Sequence, residues 1–235
     1  VKMSVTLAES AGFCFGVRRA VQKAEQCARG EGSVCTLGPI IHNKFVTRRL
    51  ESMGVRQADC LSEARADVVI IRSHGVPPEI EAQLKEQCSR LEDVTCPFVK
   101  KIQNIAAQAY ADGKQVVIIG EREHPEVIGI NGYCAGSAAV IDSLEDAEKM
   151  DFSAKELCLV AQTTANKKKW QEIVEFLRKS GYNMQVHNTI CSATEQRQAE
   201  AARLAARNDV MIVVGCRESS NTRKLYEICG RLCKR

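Results

Sequence analysis

The sequence predicts an α/β protein of three pseudo-three-fold-related modules. Three observations carry this. Cys14, Cys96 and Cys191 each follow a short extended segment and open an amphipathic helix. Each helix leads into a β-branched run ending in glycine, and Cys14 to Gly38, Cys96 to Gly120 and Cys191 to Gly215 each span 24 residues. A further strand and helix then repeat. Self-similarity at constant spacing marks a repeated architecture, and strands alternating with helices give parallel sheets.

The elements follow in order. A strand over 4–7 enters Cys14, whose helix runs to about Ala28, and a strand follows over 33–38. The apolar run 68–71 reads as a buried strand ending at Ser73-His74-Gly75, followed by a helix over 78–89. A short strand over 93–95 enters Cys96. Pro97 favours a first helical turn, so a helix is expected to Ala111, then a strand over 115–120. The run 157–160 ends at Gln162-Thr163-Thr164, a helix covers 167–180, and a strand over 188–190 enters Cys191. The third unit has a helix over 194–207, a strand over 209–215 and a helix from Asn221 to about Cys233. The modules are therefore expected at 14–95, at 96–190, and at 1–13 together with 191–235. The third module's second strand and polar turn would begin beyond Arg235, so the chain reads as a truncated sequence.

Composition narrows the function. The chain has 235 residues, 45% hydrophobic, enough for one large or two ordinary domains. Only 5% are aromatic and the net charge is +4, which argues against a nucleic-acid platform. No apolar run approaches the ~20 residues of a membrane span, and the N-terminus lacks a signal-peptide pattern. A cytoplasmic location is the expectation. Twelve cysteines in a reducing compartment are then buried small hydrophobes or ligands rather than disulfides. Cys27, Cys35, Cys60, Cys88, Cys134, Cys158, Cys216 and Cys229 fall in the first group. Cys229 and Cys233 lie four apart on one helix, which suits packing better than a metal clip.

Cys14, Cys96 and Cys191 suit metal. A helix N-terminus carries partial positive charge, which lowers a thiol's pKa. Three thiolates suit either a zinc with water as its fourth ligand or a four-iron cluster with one iron left open. Ligands of parallel sheets bind beyond the carboxyl ends of the strands, and His42, His74, His124 and the Ser219-Ser220-Asn221 helix start all fall there. They offer donors to an anion, and Glu126 is the carboxyl placed to move a proton. No Walker loop and no G-x-G-x-x-G is present, so electrons would come from an external donor.

The segments Ala11-Gly12-Phe13-Cys14-Phe15-Gly16-Val17, Ser73-His74-Gly75-Val76, Val94-Thr95-Cys96-Pro97, His124-Pro125-Glu126-Val127, Ala161-Gln162-Thr163-Thr164, Ile190-Cys191-Ser192-Ala193-Thr194 and Ser219-Ser220-Asn221-Thr222 resemble the 4-hydroxy-3-methylbut-2-enyl diphosphate reductase family. Seven motifs in order cover essentially the whole chain. The resemblance implies a trefoil around a [4Fe–4S] cluster, one per chain, on Cys14, Cys96 and Cys191. It implies that His42, His74, Ser219, Ser220 and Asn221 bind the diphosphate. His124, Glu126 and Thr163 would surround the substrate hydroxyl, with Glu126 supplying protons. The implied reaction is reductive dehydroxylation to isopentenyl and dimethylallyl diphosphate, the last step of the non-mevalonate pathway, with ferredoxin or flavodoxin as donor. The family carries a further diphosphate-binding serine in the turn expected beyond Arg235. Two other classes compete: a zinc hydrolase on the three cysteines, and a non-catalytic cluster sensor, which would need no proton donor.

Overall fold

One segment pattern, used twice, builds two four-stranded parallel sheets. The computed structural model describes residues 4–152 and 156–233. The first sheet contains β1 (Val34–Leu37), β2 (Val55–Ala58), β3 (Val68–Ile71) and β4 (Arg90–Asp93), in the order β2-β1-β3-β4. The second contains β5 (Gln115–Ile119), β6 (Ala139–Ile141), β7 (Leu157–Ala161) and β8 (Met184–Val186), in the order β6-β5-β7-β8. Every pairing is parallel. The helices are α1 (Phe15–Ala28), α2 (Lys44–Ser52), α3 (Pro78–Gln87), α4 (Pro97–Ala111), α5 (Pro125–Gly132), α6 (Leu144–Glu148), α7 (Lys167–Lys179), α8 (Ser192–Ala205) and α9 (Ser220–Leu232).

Successive strand residues point to opposite faces, and the core follows that period. Val68 and Ile70 join the cluster with Ala20, Ala24 and Leu50 of α1 and α2. Val69 and Ile71 join the opposite cluster with Leu84 of α3. In the second sheet Val117, Ile119, Leu157 and Leu159 face Trp170, Ile173 and Leu177 of α7. Val116, Ile118, Cys158 and Val160 face Ile102 and Ala106 of α4. Both sheets are thus buried on two faces, which is why their central strands are continuous apolar runs.

The repeat is also visible where each sheet ends. The Cys96 amide donates to Ser73 O at 2.9 Å, and the Cys191 amide donates to Thr163 O at 3.1 Å. Ser73 and Thr163 are therefore counterparts, two residues past β3 and β7.

The structure corrects several boundaries and one larger expectation. The strands before Cys96 and Cys191 lie earlier, at β4 and β8, because 94–95 and 188–190 leave the strand under side-chain bonds: Thr95 donates to Asp93, and Ile190 N donates to Asn188 Oδ1. The chain over 4–7 and 209–215 is not strand. By analogy with β4 and β1, these segments would flank a central strand, and neither pairs with a strand among the described residues. Val5, Leu7, Val210, Ile212 and Val214 accordingly point to solvent. The N-terminal segment is tied instead to α8: Glu200 accepts from the backbone of Glu9 and Ser10, and Arg197 donates to the carbonyls of Ser10 and Gly12. Residues 1–3 and 234–235 of the expected third module lie outside the described residues.

Of the cysteines expected in the core, Cys27, Cys35, Cys134, Cys158 and Cys229 are buried, but Cys60 is exposed and Cys88 and Cys216 are half-buried. Cys60 opens a surface 3₁₀ turn over Leu61–Glu63, where no core reaches it. Cys233 is half-buried and donates to Asn208 O at 3.2 Å.

These contrasts make a stability prediction. Ile118, fully buried, should cost about 2–5 kcal/mol on change to alanine. Ile212, 84% exposed, should cost no more than about 0.5 kcal/mol on the same change. Chemical denaturation of Ile118→Ala and Ile212→Ala checks both, and a cost at Ile212 comparable to that at Ile118 would mean that the segment is packed in solution.

Candidate functional site

Each of the three repeat cysteines is the N-cap of its helix: Cys14 for α1, Cys96 for α4 and Cys191 for α8. All three are half-buried free thiols. The Thr194 amide donates to the Cys191 sulfur at 3.4 Å, whereas the Cys96 and Cys14 side chains make no such cap bond. Burial first, then the neighbouring Cys14 and Glu126, pushes the Cys96 thiol up. Gly16, two residues past Cys14, lies against Cys96: a Cβ there would stand 2.6 Å from the Cys96 sulfur. Three half-buried N-cap thiols fit a thiolate-ligated group. They do not gather as around a single ion, since among the described residues only three histidines bring their ligand atoms within 4.8 Å of one another.

Those three are His42, His74 and His124, as the sequence indicated. They come from the ends of β1, β3 and β5. Their ring centroids lie 4.8 Å apart for His42 and His74, 5.3 Å for His74 and His124, and 5.8 Å for His42 and His124. His42 and His74 are half-buried and His124 is buried. Burial lowers all three pKa values and the Arg72 charge adds to it, and for His74 and His124 the neighbouring imidazoles add as well. His124 falls to about 4. The rings are neutral at pH 7, so each offers one donor and one acceptor. His124 also caps α5, its Nδ1 accepting from the Glu126 amide at 3.1 Å.

Glu126 lies in the first turn of α5 and is 2% exposed. Its carboxylate accepts from the Thr163 amide at 2.6 Å and the Thr163 hydroxyl at 2.7 Å. Burial nevertheless dominates and raises its pKa to about 7, against the two Thr163 bonds. A carboxyl poised near neutrality can give and take protons at working pH.

The α9 start closes another side. Ser219 is its N-cap, accepting from the Thr222 amide at 3.4 Å, and Asn221 is half-buried in its first turn. Ser220 differs from its neighbours. It is buried and donates to Glu121 at 2.6 Å, while accepting from Thr164 at 3.2 Å. Glu121 also pairs with Arg223 and with buried Lys224. Burial alone would raise the pKa of Glu121, but Ser220 and the two cations outweigh it and lower it. This network joins α9 to the loop that carries His124. Sequence reasoning missed it, although Glu121 directly follows the repeat glycine Gly120, which was the available signal.

A family profile described as LytB protein matches residues 5–235. A 4-hydroxy-3-methylbut-2-enyl diphosphate reductase of Caldanaerobacter subterraneus is 44% identical over 237 residues, covering 99% of this chain and 82% of the relative. The reductase of the same name from Aquifex aeolicus is 42% identical over 98% of this chain and 81% of its own. Among solved structures, an E-1-hydroxy-2-methyl-but-2-enyl-4-diphosphate reductase from Plasmodium falciparum superposes with a TM-score of 0.87 at 29% identity, covering 94% of this chain and 71% of that one. A second solved structure, an (E)-4-hydroxy-3-methyl-but-2-enyl diphosphate reductase described as the terminal enzyme of the non-mevalonate pathway, gives 0.74 at 42% identity over 97% and 83%. The chain has the α/β trefoil fold of these reductases.

The Glu126 carboxyl makes stability depend on pH with a definite sign. Its folded pKa is raised, so its contribution is complete below the unfolded value of ~4.5 and is lost as pH rises through about 7. The histidines act oppositely, costing stability as pH falls below ~6.5. The difference between wild type and Glu126→Gln isolates the first effect. From pH 5 to pH 8 the variant should gain on the order of 3 kcal/mol relative to wild type. Paired denaturation curves at the two pH values test it, and a pH-independent difference would place the Glu126 pKa near its ordinary value.

Proposed function

The chain belongs to the LytB family, and we propose from that premise how its residues carry out the reductive dehydroxylation of 4-hydroxy-3-methylbut-2-enyl diphosphate. The carrying observation is the buried Glu126–Thr163 pair standing between a three-histidine pocket and three N-cap cysteines. The reaction takes two electrons and two protons, releases the allylic hydroxyl as water and leaves isopentenyl or dimethylallyl diphosphate.

Cys14, Cys96 and Cys191 would hold a [4Fe–4S] cluster. When bound, it supplies the electrons and, at the iron without a protein thiolate, Lewis acidity. The Thr194 amide donates to the Cys191 sulfur and fixes it at the start of α8. An external carrier such as ferredoxin or flavodoxin delivers the electrons. All twelve cysteines are free thiols, which suits a reducing cytoplasm.

The diphosphate is held by neutral hydrogen bonds from His42 and His74, and by Ser219, Asn221 and the amides of the α9 N-terminus. Ser220 contributes by fixing that N-terminus through Glu121. This places the substrate hydroxyl toward Glu126 and Thr163. The protonated Glu126 carboxyl donates to the departing oxygen, and the Thr163 hydroxyl orients it by donating to the other carboxylate oxygen. His124 holds the first turn of α5, and so Glu126, in place. Burial of Glu126 keeps water from competing for its proton.

The histidine group favours one second reading, a divalent ion held by His42, His74 and His124. The group contains no carboxylate, and the Arg72 charge that lowers all three histidines repels a cation. An anion fits better.

The test is anaerobic expression of single variants. Cys14→Ser, Cys96→Ser and Cys191→Ser should each lose iron and sulfide, while Cys60→Ser and Cys158→Ala retain them. Glu126→Gln should keep the cluster and bind substrate, yet turn over at least ~10²-fold more slowly. A Cys96→Ser protein with full iron content would falsify the ligand set. Unchanged turnover in Glu126→Gln would move proton supply to Thr163 or water. Zinc in place of iron, lost on changing the histidines, would establish the second reading.

A further inference from the structure

Arg72 directly follows β3 and precedes Ser73-His74. Its counterpart in the second module is Gln162. Gly75 N donates to Arg72 O at 3.0 Å, and Ala165 N donates to Gln162 O at the same 3.0 Å. Each side chain lies over the glycine that ends the neighbouring central strand. A Cβ on Gly120 would stand 2.7 Å from Gln162 Cβ, and one on Gly38 would stand 3.2 Å from Arg72 Cζ and run into Nη1. Gly38, at a φ of +70°, leaves the space that the guanidinium occupies.

There the likeness ends. Gln162 is satisfied, accepting from the Glu121 amide at 2.9 Å and donating to Thr164 at 2.8 Å. Arg72 donates to no described residue and pairs with no described acid, and its buried Nε lacks a partner. The other buried nitrogens without partners among the described residues are His42 Nε2, His74 Nδ1 and the amide nitrogen of Gln103, and the two histidines stand at the same sheet edge as Arg72. Either becomes a donor by choice of tautomer. A buried donor without an acceptor costs about 1–3 kcal/mol, and more when charged. Three of them at one sheet edge, one permanently cationic, describe a site waiting for acceptor oxygens.

We propose that Arg72 is a further anion-binding residue of this pocket, supplying the fixed positive charge to the phosphates while the histidines supply neutral hydrogen bonds. The proposal rests on the diphosphate reading above and deepens it. The other charges that act on the histidines are already matched. Glu121 is paired with Arg223 and Lys224, and Glu218 is paired with Lys44. A diphosphate brings at least two negative charges among rings that are neutral at pH 7, so it needs a cation not held by a protein acid. The planar guanidinium also matches a phosphate with two parallel donors, which a lysine does not.

The experiment uses the cluster-containing chain with inorganic pyrophosphate as probe, measured both as a competitive inhibitor and by calorimetry. Arg72→Met keeps the apolar stem and removes the charge, Arg72→Lys keeps the charge, and His42→Gln reports on the diphosphate site itself. Loss of a charge-assisted bond should weaken pyrophosphate binding by about 10- to 100-fold in Arg72→Met. KM should rise by a similar factor with kcat within about twofold, because the contact is made equally in ground and transition states. The salt dependence of binding should flatten, and Arg72→Lys should recover part of the affinity. If Arg72→Met binds pyrophosphate as wild type does while His42→Gln does not, the role of Arg72 is overturned and the diphosphate site stands. If neither variant changes affinity, the diphosphate reading itself fails and the proposal with it. A loss in Arg72→Met that Arg72→Lys does not recover at all, with salt dependence unchanged, assigns Arg72 to packing and also overturns the proposal.

Discussion

The contact on which the site depends is the buried Glu126 carboxylate receiving both the amide and the hydroxyl of Thr163. It fastens the first turn of α5 to the end of β7. The Thr163 carbonyl in turn receives the Cys191 amide. One short chain of hydrogen bonds therefore joins a titrating carboxyl, a central strand and the N-cap of the third cysteine helix. A fully buried carboxyl would ordinarily be destabilised as an anion. Two donors on its two oxygens reduce that cost without removing it, which is why its pKa rests near 7 rather than far above.

The sheets make this possible. Parallel strands buried on both faces are rigid, and within each sheet their carboxyl ends point one way, so the turns beyond them gather at one edge. His42, His74, His124 and Thr163 arrive in the pocket on four such ends. The histidines gain their low pKa values from that convergence, through burial and through one another's proximity. Helix starts at the same edge add amide donors, and the cysteines occupy those starts as N-caps. The α9 helix belongs to this arrangement through Glu121, which ties Ser220, Arg223 and Lys224 to the loop before His124, and through the Thr164 hydroxyl that donates to Ser220. The third unit is thus joined to the site by a polar network, where the first two are joined by sheet.

The three repeat cysteines, three turn histidines, Glu126 and Thr163 were legible because each is tied to the end or start of a regular element, and the repeat reveals those ends. Ser220 was legible as a member of a helix start but not in its role, since its hydroxyl is committed to a residue 99 positions away. The Cys60 exposure was not legible either. Cysteine's preference for burial is a tendency of the residue type, and only the path of the chain past β2 decides it.

The sequence by itself determined the module period, the central strands, most helices and which side chains stand at the strand ends and helix starts. These depend on local periodicity and on residues within one strand–turn–helix unit. Tertiary structure alone decided which of those groups are charged, which are satisfied and which are orphaned. Arg72 and Gln162 hold equivalent places in the repeat, and nothing local distinguishes a bonded side chain from one left without an acceptor. Likewise the apolar runs near Val5 and Ile212 have the pattern of strands. A strand exists only by pairing, and neither run pairs with a strand among the described residues, so both are left irregular and exposed.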